Sequence, residues 1–417
     1  MNHAMQAATT IGHQPAQGLS FKHNLKARKP RLLLLITDDW YFRSHRLDLA
    51  KEARDAGMEV FVTTFADDGG KWITREGFTY LPIPFVKGTR QPLQELTAVL
   101  KLANLYRRVR PDIVHHVALK PILYGSWAAR LVGIPAVLNA FGGLGFVFSA
   151  DGWQSRLLRI AVRAALCSAL SLPNCRVLFQ NREDCDQMLR QRIVQSSQTV
   201  IIPGVGVDTA AFTPHPEMSG LPVIVLACRM LWDKGVGEFV HAARLLKQQN
   251  VGARFVLVGR TDFGNPTHIP ESQLRTWQNE DVVEWWGHRD DMPEVLAGAH
   301  VVVLPSYYEG FPKILLEACS CAKPVIATAI PGCVQIVRDG ENGFLIPPKD
   351  PEALAKVIRV LLENPLLRTR LGTRGREIVE REFTARRMAK RTLAVYHELL
   401  ANCDPLVGTL GIDSFDG

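Results

Sequence analysis

Two glutamates eight residues apart, Glu309 and Glu317, stand in the run Pro305-Ser-Tyr-Tyr-Glu309-Gly310-Phe311-Pro312-Lys313-Ile-Leu-Leu-Glu317-Ala. The apolar stretch His300-Val-Val-Val-Leu304 ends at Pro305, which predicts a buried parallel strand, and Pro312 suits the first residue of a helix reaching about Ala322. Glu309 and Gly310 then fall in the turn after the strand. In an open α/β sheet that turn faces the crevice at the carboxyl ends of the strands, and free N–H groups at a helix start favour phosphate. Gly310 would let a ligand approach the backbone closely. Glu317, about a turn and a half into the helix, would face the same crevice and accept hydrogen bonds from hydroxyls. The pattern is that of a phosphate-and-sugar site built on a helix start.

A second cluster precedes it. Pro222-Val-Ile-Val-Leu-Ala-Cys228 is strand-like, Arg229-Met-Leu-Trp-Asp-Lys234-Gly235 follows, and a helix is predicted from about Val236 to Gln249. Arg229 can hold phosphate oxygens bidentately and Lys234 can act as a point charge, as a diphosphate leaving group requires. Two further strands are predicted, Ala253-Arg-Phe-Val-Leu-Val-Gly259 and Val282-Val-Glu-Trp-Trp-Gly287, the second followed by His288-Arg289-Asp290-Asp291. Hard cations need several convergent oxygens, whereas this aspartate pair stands before Pro293 and suits a helix start. No metal site is expected.

The stretch Val301 to Asp350 resembles the donor lobe of the retaining glycosyltransferases of family four, which have the two-lobed GT-B fold. The matching residues are Leu304-Pro-Ser-Tyr-Tyr-Glu309-Gly-Phe-Pro-Lys-Ile-Leu-Leu-Glu317-Ala-Cys-Ser-Cys, Lys323-Pro-Val-Ile-Ala-Thr328, Ile330-Pro-Gly-Cys333 and Asp339-Gly-Glu-Asn-Gly-Phe-Leu-Ile-Pro347-Pro348. The resemblance implies that Glu309 lies beside the donor sugar and acts in catalysis, and that Glu317 binds the nucleotide ribose. It implies further that Gly310, Phe311 and Pro312 complete the donor site, that Arg229 and Lys234 bind the donor phosphates, and that Gly259, His288 and Arg289 lie near the nucleobase. Ala322 stands where the family usually has glycine, and Gln335 where it usually has glutamate.

The first half repeats the α/β rhythm. Arg31-Leu-Leu-Leu-Leu-Ile36 predicts a buried strand, Ser44 to Ala56 a helix closed by Gly57, and Glu59-Val-Phe-Val-Thr63 the next strand. Strands at Asp112-Ile-Val-His115-His116, Pro135-Ala-Val-Leu138, Arg176-Val-Leu-Phe179 and Thr199-Val-Ile-Ile202 continue a doubly wound sheet. The first strand lacks a following Gly-x-Gly-x-x-Gly, which argues against a dinucleotide site. Its turn reads Thr37-Asp38-Asp39-Trp40-Tyr41-Phe42-Arg43-Ser44-His45-Arg46. Together with Val114-His-His-Val-Ala-Leu-Lys120-Pro121 and Phe141-Gly142-Gly143-Leu144-Gly145-Phe146-Val147-Phe148, it resembles the family members that extend undecaprenyl-diphosphate-linked saccharides. Those members imply acceptor contacts at His45, Arg46 and Lys120. Many relatives carry His-x-His after the fourth strand, the second histidine close to the donor sugar. Here His115 matches the first position and Val117 occupies the second, so His115 and His116 are both catalytic candidates.

The expected architecture is therefore α/β, two doubly wound Rossmann-like lobes facing a central cleft. Its parts are a disordered segment at 1–29, an acceptor lobe at 30–205, a nucleotide-sugar lobe at 206–384, a helix returning to the first lobe at 385–402, and a flexible tail at 403–417. The net charge of +8 favours anionic partners: a nucleotide sugar, a lipid-linked saccharide acceptor and an anionic membrane surface. No helix-turn-helix, zinc-finger spacing or aromatic RNA-binding signature is present, so nucleic acid is not expected as a partner. No apolar run reaches the roughly 18 residues of a membrane span, and the first 29 residues lack the apolar core of a secretion signal. The eight cysteines have no Cys-x-x-Cys spacing and suit reduced thiols. The expected location is cytoplasmic, peripheral at the inner face of the plasma membrane. From Gln154 to Leu170, Arg156, Arg159 and Arg163 recur at helical spacing among apolar residues, giving a basic amphipathic helix, and Lys101 to Arg110 adds to the basic surface. The predicted activity is retaining transfer of a hexose or N-acetylhexosamine from a UDP-sugar to a lipid-linked saccharide, without cofactor. A nucleotide-sugar epimerase of the same fold and a non-catalytic sugar-nucleotide sensor are the rivals.

Overall fold

The computed structural model of the chain describes residues 28–65, 70–83, 92–143 and 153–403. The expectations for residues 1–27, 144–148 and 404–417 fall outside them, as does the side chain of Arg156.

The first sheet is wholly parallel, because its strands are near-continuous apolar runs that must be covered on both faces. It contains β1 (Arg31–Ile36), β2 (Glu59–Thr64), β3 (Thr79–Tyr80), β4 (Ile113–Val117), β5 (Ala136–Ala140), β6 (Cys175–Phe179) and β7 (Thr199–Ile201), in the order β3-β2-β1-β4-β5-β6-β7. Leu34 stands opposite Val62 on one side and His115 on the other. One face packs Leu33, Leu35 and Val114 against Leu102, Tyr106 and Ile122. The other packs Leu32, Leu34 and Ile36 against Leu49, Ala53, Met388 and Tyr396. The predicted helix over 44–56 is two helices, Asp39–His45 and Leu47–Asp55, meeting at Arg46. The side chain of Asp38 caps the first by accepting from Tyr41 N at 2.8 Å. Much of what reads as a polar turn is therefore helix, started by an N-cap aspartate.

The second sheet is also parallel: β8 (Val223–Ala227), β9 (Arg254–Val258), β10 (Glu284–Trp285), β11 (Val301–Leu304), β12 (Val325–Thr328) and β13 (Gly343–Ile346), in the order β10-β9-β8-β11-β12-β13. The order in which successive strands are laid down reverses once in each sheet, between β1 and β4 in the first and between β8 and β11 in the second. Such switch points open a crevice at the carboxyl ends of the strands. The chain crosses between lobes twice, and the crossings are tied together: Val207 N donates to Phe383 O at 3.0 Å and Ala385 N to Val207 O at 2.9 Å. The last helix, Ala385–Ala401, lies on the first sheet, where Tyr396 is fully buried.

Candidate active site

The second lobe assembles its charged groups at its own switch point. After β8 the chain passes through Arg229 and Lys234 to Gly235, which has φ +71° and starts the helix Val236–Gln248. After β11 it passes through Ser306 and Glu309 to Pro312, which precedes the helix Lys313–Ser320 and supplies no side-chain cap. Pro312 is thus one residue outside the helix rather than its first residue. Gly235 has a physical requirement: a Cβ there would lie 2.1 Å from Pro305 O. Only glycine lets the two turns touch.

That contact brings Lys234 and Glu309 together. Lys234 Nζ lies 2.7 Å from Glu309 Oε1, with both side chains largely buried. Ser306 Oγ donates to the same oxygen at 2.8 Å. Burial acts to lower the Lys234 pKa, but the charge and hydrogen bond of Glu309 outweigh it and hold the pKa above its ordinary value. Lys234 therefore stays a cation at the crevice. Glu317 has the equivalent partner one helical turn back, Lys313, at 3.0 Å. Around Glu309 the packing is close: the Thr328 hydroxyl donates to Ser306 O, and a Cβ on Gly332 would lie 2.4 Å from Glu309 O.

The other residues expected on the donor side stand in the turns that follow β8, β9, β10 and β11. Arg229 pairs with Asp262 at 2.8 Å and is half exposed, so its guanidinium can exchange that carboxylate for a phosphate. Gly259, with φ +144°, follows β9 beside Cys228, and a Cβ there would lie 1.8 Å from Cys228 O. His288 lies 3.6 Å from Asp290. Arg289 binds Asp291 through Nε at 2.7 Å and stacks over Trp286. Asp291 precedes the helix Met292–Ala297. Phe311 packs on Phe383 and against Gly204 of the first crossing. Gly310 serves a contact that spacing alone does not show. A Cβ on it would lie 2.2 Å from Gly142 O of the first lobe, so here the close approach is made by the other lobe's backbone.

The first lobe places its candidates differently. His115 and His116 are fully buried and point to opposite faces of the sheet. His116 Nδ1 meets Asn139 Oδ1 at 2.8 Å and Nε2 meets Tyr106 Oη at 3.0 Å. Burial lowers its pKa to about 4, against a smaller upward effect of Asn139. His115 Nδ1 lies 2.6 Å from Tyr396 Oη beneath the last helix, while Nε2 lacks a hydrogen-bond partner. Burial, then the charge of Arg46, pushes its pKa well down. Both rings are thus buried neutral groups in this arrangement, and His116 has both nitrogens bonded within the first lobe. Arg46 is only 3% exposed, and with half-buried His45 it lines a small cavity closed by Gly204, Val205, Met388 and Thr392. Arg46, expected among the acceptor contacts, stands at the break between the two helices, and its Nε and Nη2 have no hydrogen-bond partner. Lys120 lies at the surface, 3.7 Å from Glu95.

Groups that the sequence did not single out complete the arrangement: Ser306, Lys313, Tyr308, Asn181 and Asp184. The Asn181-x-x-Asp184 spacing is a legible helix cap, but nothing local indicates that it reaches the other lobe.

Residues 221–364 match the family "Glycosyl transferases group 1" and residues 43–204 the family "Glycosyl transferase 4-like domain". Over 370 residues the chain is 26% identical to an N,N'-diacetylbacillosaminyl-diphospho-undecaprenol alpha-1,3-N-acetylgalactosaminyltransferase of Campylobacter jejuni, covering 86% of this chain and 96% of that protein. It is also 26% identical to an Escherichia coli UDP-Gal:alpha-D-GlcNAc-diphosphoundecaprenol alpha-1,3-galactosyltransferase, over 66% of this chain and 72% of that protein. Among solved structures, Anabaena HepE in complex with UDP superposes with a TM-score of 0.71 at 20% identity, over 89% of this chain and all of that one. A glycosyltransferase from Rickettsia africae gives 0.72 at 20% identity, over 90% of this chain and 99% of that one.

Proposed function

This chain belongs to the group 1 glycosyltransferases and has their GT-B fold, and from that premise we propose that it is a retaining enzyme that moves a hexose or N-acetylhexosamine from a UDP-sugar to a hydroxyl of a saccharide carried on a polyprenyl diphosphate. The observation that carries this proposal is the Lys234–Glu309 pair at the switch point of the second sheet. A diphosphate entering there meets Lys234, Arg229 after it exchanges partners, and the uncapped amides at the start of the helix Lys313–Ser320. Glu309 then lies beside the sugar and Glu317 beside the ribose. The names of the C. jejuni and E. coli relatives, both acting on diphospho-undecaprenol saccharides, support the acceptor class, and the E. coli name supports a UDP donor.

In the proposed reaction the bond from C1 to the diphosphate oxygen breaks as the acceptor hydroxyl bonds C1 from the same face, and the hydroxyl proton passes to the departing phosphate. Developing charge is carried by the two cations and the helix start, so the scheme calls on no metal and no covalent intermediate. The first lobe would hold the acceptor, with Lys120 beside its phosphate. The basic helices of that lobe would rest on anionic lipid at the inner face of the plasma membrane; no helix among the described residues is long and apolar enough to cross a membrane.

The test is incubation of the enzyme with UDP-sugars and a polyprenyl-diphosphate saccharide, with the new linkage assigned by NMR. A product of retained anomeric configuration is expected, and an inverted one refutes the mechanism. Donor converted without any acceptor would instead establish an epimerase.

A further inference from the structure

Glu309 is flanked by two residues that reach the opposite lobe. On one side the Tyr308 hydroxyl donates to the carboxylate of Asp184, at 2.9 Å to Oδ1 and 3.0 Å to Oδ2. On the other, Asn181 Nδ2 donates to the carbonyl of Gly310 at 2.9 Å. Asn181 and Asp184 start the first-lobe helix Arg182–Arg190, where Asn181 Oδ1 accepts from Asp184 N at 2.8 Å and Nδ2 reaches Asp184 Oδ2 at 3.0 Å. Asn181 is fully buried and Asp184 is 4% exposed.

Capping alone does not explain this arrangement. The cap uses Asn181 Oδ1; its Nδ2 group bonds Asp184 Oδ2 within the same turn and also reaches the Gly310 carbonyl of the other lobe, while the Asp184 carboxylate accepts in addition from Tyr308. Buried carboxylates persist only where their oxygens are bonded, and here a donor comes from across the cleft. The glycines on the facing loop agree. A Cβ on Gly143, which has φ +138°, would lie 3.4 Å from both the Gly310 Cα and the Tyr308 ring. The turn carrying Glu309 is thus gripped by first-lobe groups on two sides, through contacts that exist only while the lobes are together.

We propose that Asn181 and Asp184 are positioning residues: acting through Tyr308 and the Gly310 carbonyl, they latch the lobes and fix the Glu309 turn for transfer. The catalytic half of this inference rests on the donor-site role given to Glu309 above; the latch itself does not.

The test uses the full chain and three variants. Tyr308→Phe removes one oxygen, Asp184→Ala removes the acceptor, and Asp184→Asn keeps the shape and one acceptor oxygen. Small-angle scattering without nucleotide reads the latch. Steady-state kinetics with a UDP-sugar and calorimetric UDP binding read the positioning. Tyr308→Phe and Asp184→Ala are expected to enlarge the radius of gyration and lower kcat at least about tenfold, with the UDP Kd changed less than about twofold. Asp184→Asn should recover a large part of the kcat loss, and the Tyr308→Phe/Asp184→Ala double variant should be no worse than Asp184→Ala alone, as coupled partners require. An unchanged radius of gyration in Tyr308→Phe overturns the latch, as do losses that multiply in the double variant. An enlarged particle with wild-type kcat overturns the positioning role. If Asp184→Ala fails to fold, Tyr308→Phe decides alone. If the wild type transfers no sugar from any UDP-sugar, the donor assignment fails while scattering still decides the latch.

Discussion

Each of the two glutamates faces a lysine, Glu309 with Lys234 and Glu317 with Lys313. For such a partly buried pair, removal of one member leaves a charge without its partner, which costs far more than the pair's net contribution to stability. Lys234→Ala should therefore lower kcat about a hundredfold, the size typical of a lost electrostatic contact to a leaving group, and circular dichroism should show the fold retained. Glu317→Ala should instead weaken UDP binding about tenfold, as calorimetry would read. The buried histidines give a different signature. His116 titrates near 6.5 when unfolded and at about 4 in place, because burial disfavours its cation. Between those values the unfolded chain binds the proton and the folded chain does not. The stabilising contribution is full above pH 6.5 and is lost as pH falls toward 4, at up to about 1.4 kcal/mol per pH unit. Urea midpoints should fall steeply over that window, and His116→Gln should flatten the slope. The charge types and spacings of Glu309, Glu317, Arg229 and Lys234 were legible because they are local properties. The burial of His115 and His116 was not, because Tyr396 and Tyr106, which each bond one of their nitrogens, stand 281 and 10 residues away.

At the scale of elements, the turns after β8 and β11 meet only because Gly235 has no side chain. Gly235→Ala should strain a left-handed residue and push Pro305 away, destabilising the protein by about 2 kcal/mol, measurable by urea unfolding, with a loss of UDP affinity. Ala322 shows the converse. It follows the helix Lys313–Ser320 with φ +54°, the left-handed position that usually ends a helix with glycine. Ala322→Gly should raise stability by roughly 0.5–1 kcal/mol, read as a higher urea midpoint. The strands were visible as apolar runs, since a parallel sheet covered on both faces demands them. The short helix Asp39–His45 was not. Its Asp-Asp opening suits a turn as well as a cap, and the choice is made by Phe42, which is buried against the sheet.

At the scale of the molecule, the helices Pro92–Val109 and Trp153–Leu170 both pack against the helix Leu119–Val132. This places exposed Leu96, Leu100 and Ile160 on the same side of the first sheet as exposed Lys101, Arg107, Arg108 and Arg110. Apolar and cationic groups together suit an anionic lipid surface, at about 1 kcal/mol for each basic residue near it. The protein is expected to sediment with vesicles containing phosphatidylglycerol and not with purely zwitterionic ones. Arg107→Glu/Arg108→Glu should weaken that association at least tenfold while leaving UDP binding intact; equal binding to both lipids would remove the surface assignment.

The sequence alone determined the two parallel α/β sheets, the charged residues in the turns after β8 and β11, and the glycosyltransferase family. These depend on periodicity and on residue types a few positions apart, which the chain carries whatever it later packs against. Only the tertiary structure decided which groups meet. It buried His115 beneath the last helix, set Arg46 at a small cavity, and used Gly310 for an approach by Gly142. It also brought Asn181 and Asp184 to a turn some 125 residues further along, because the closure of two separately folded sheets fixes contacts that no local spacing encodes.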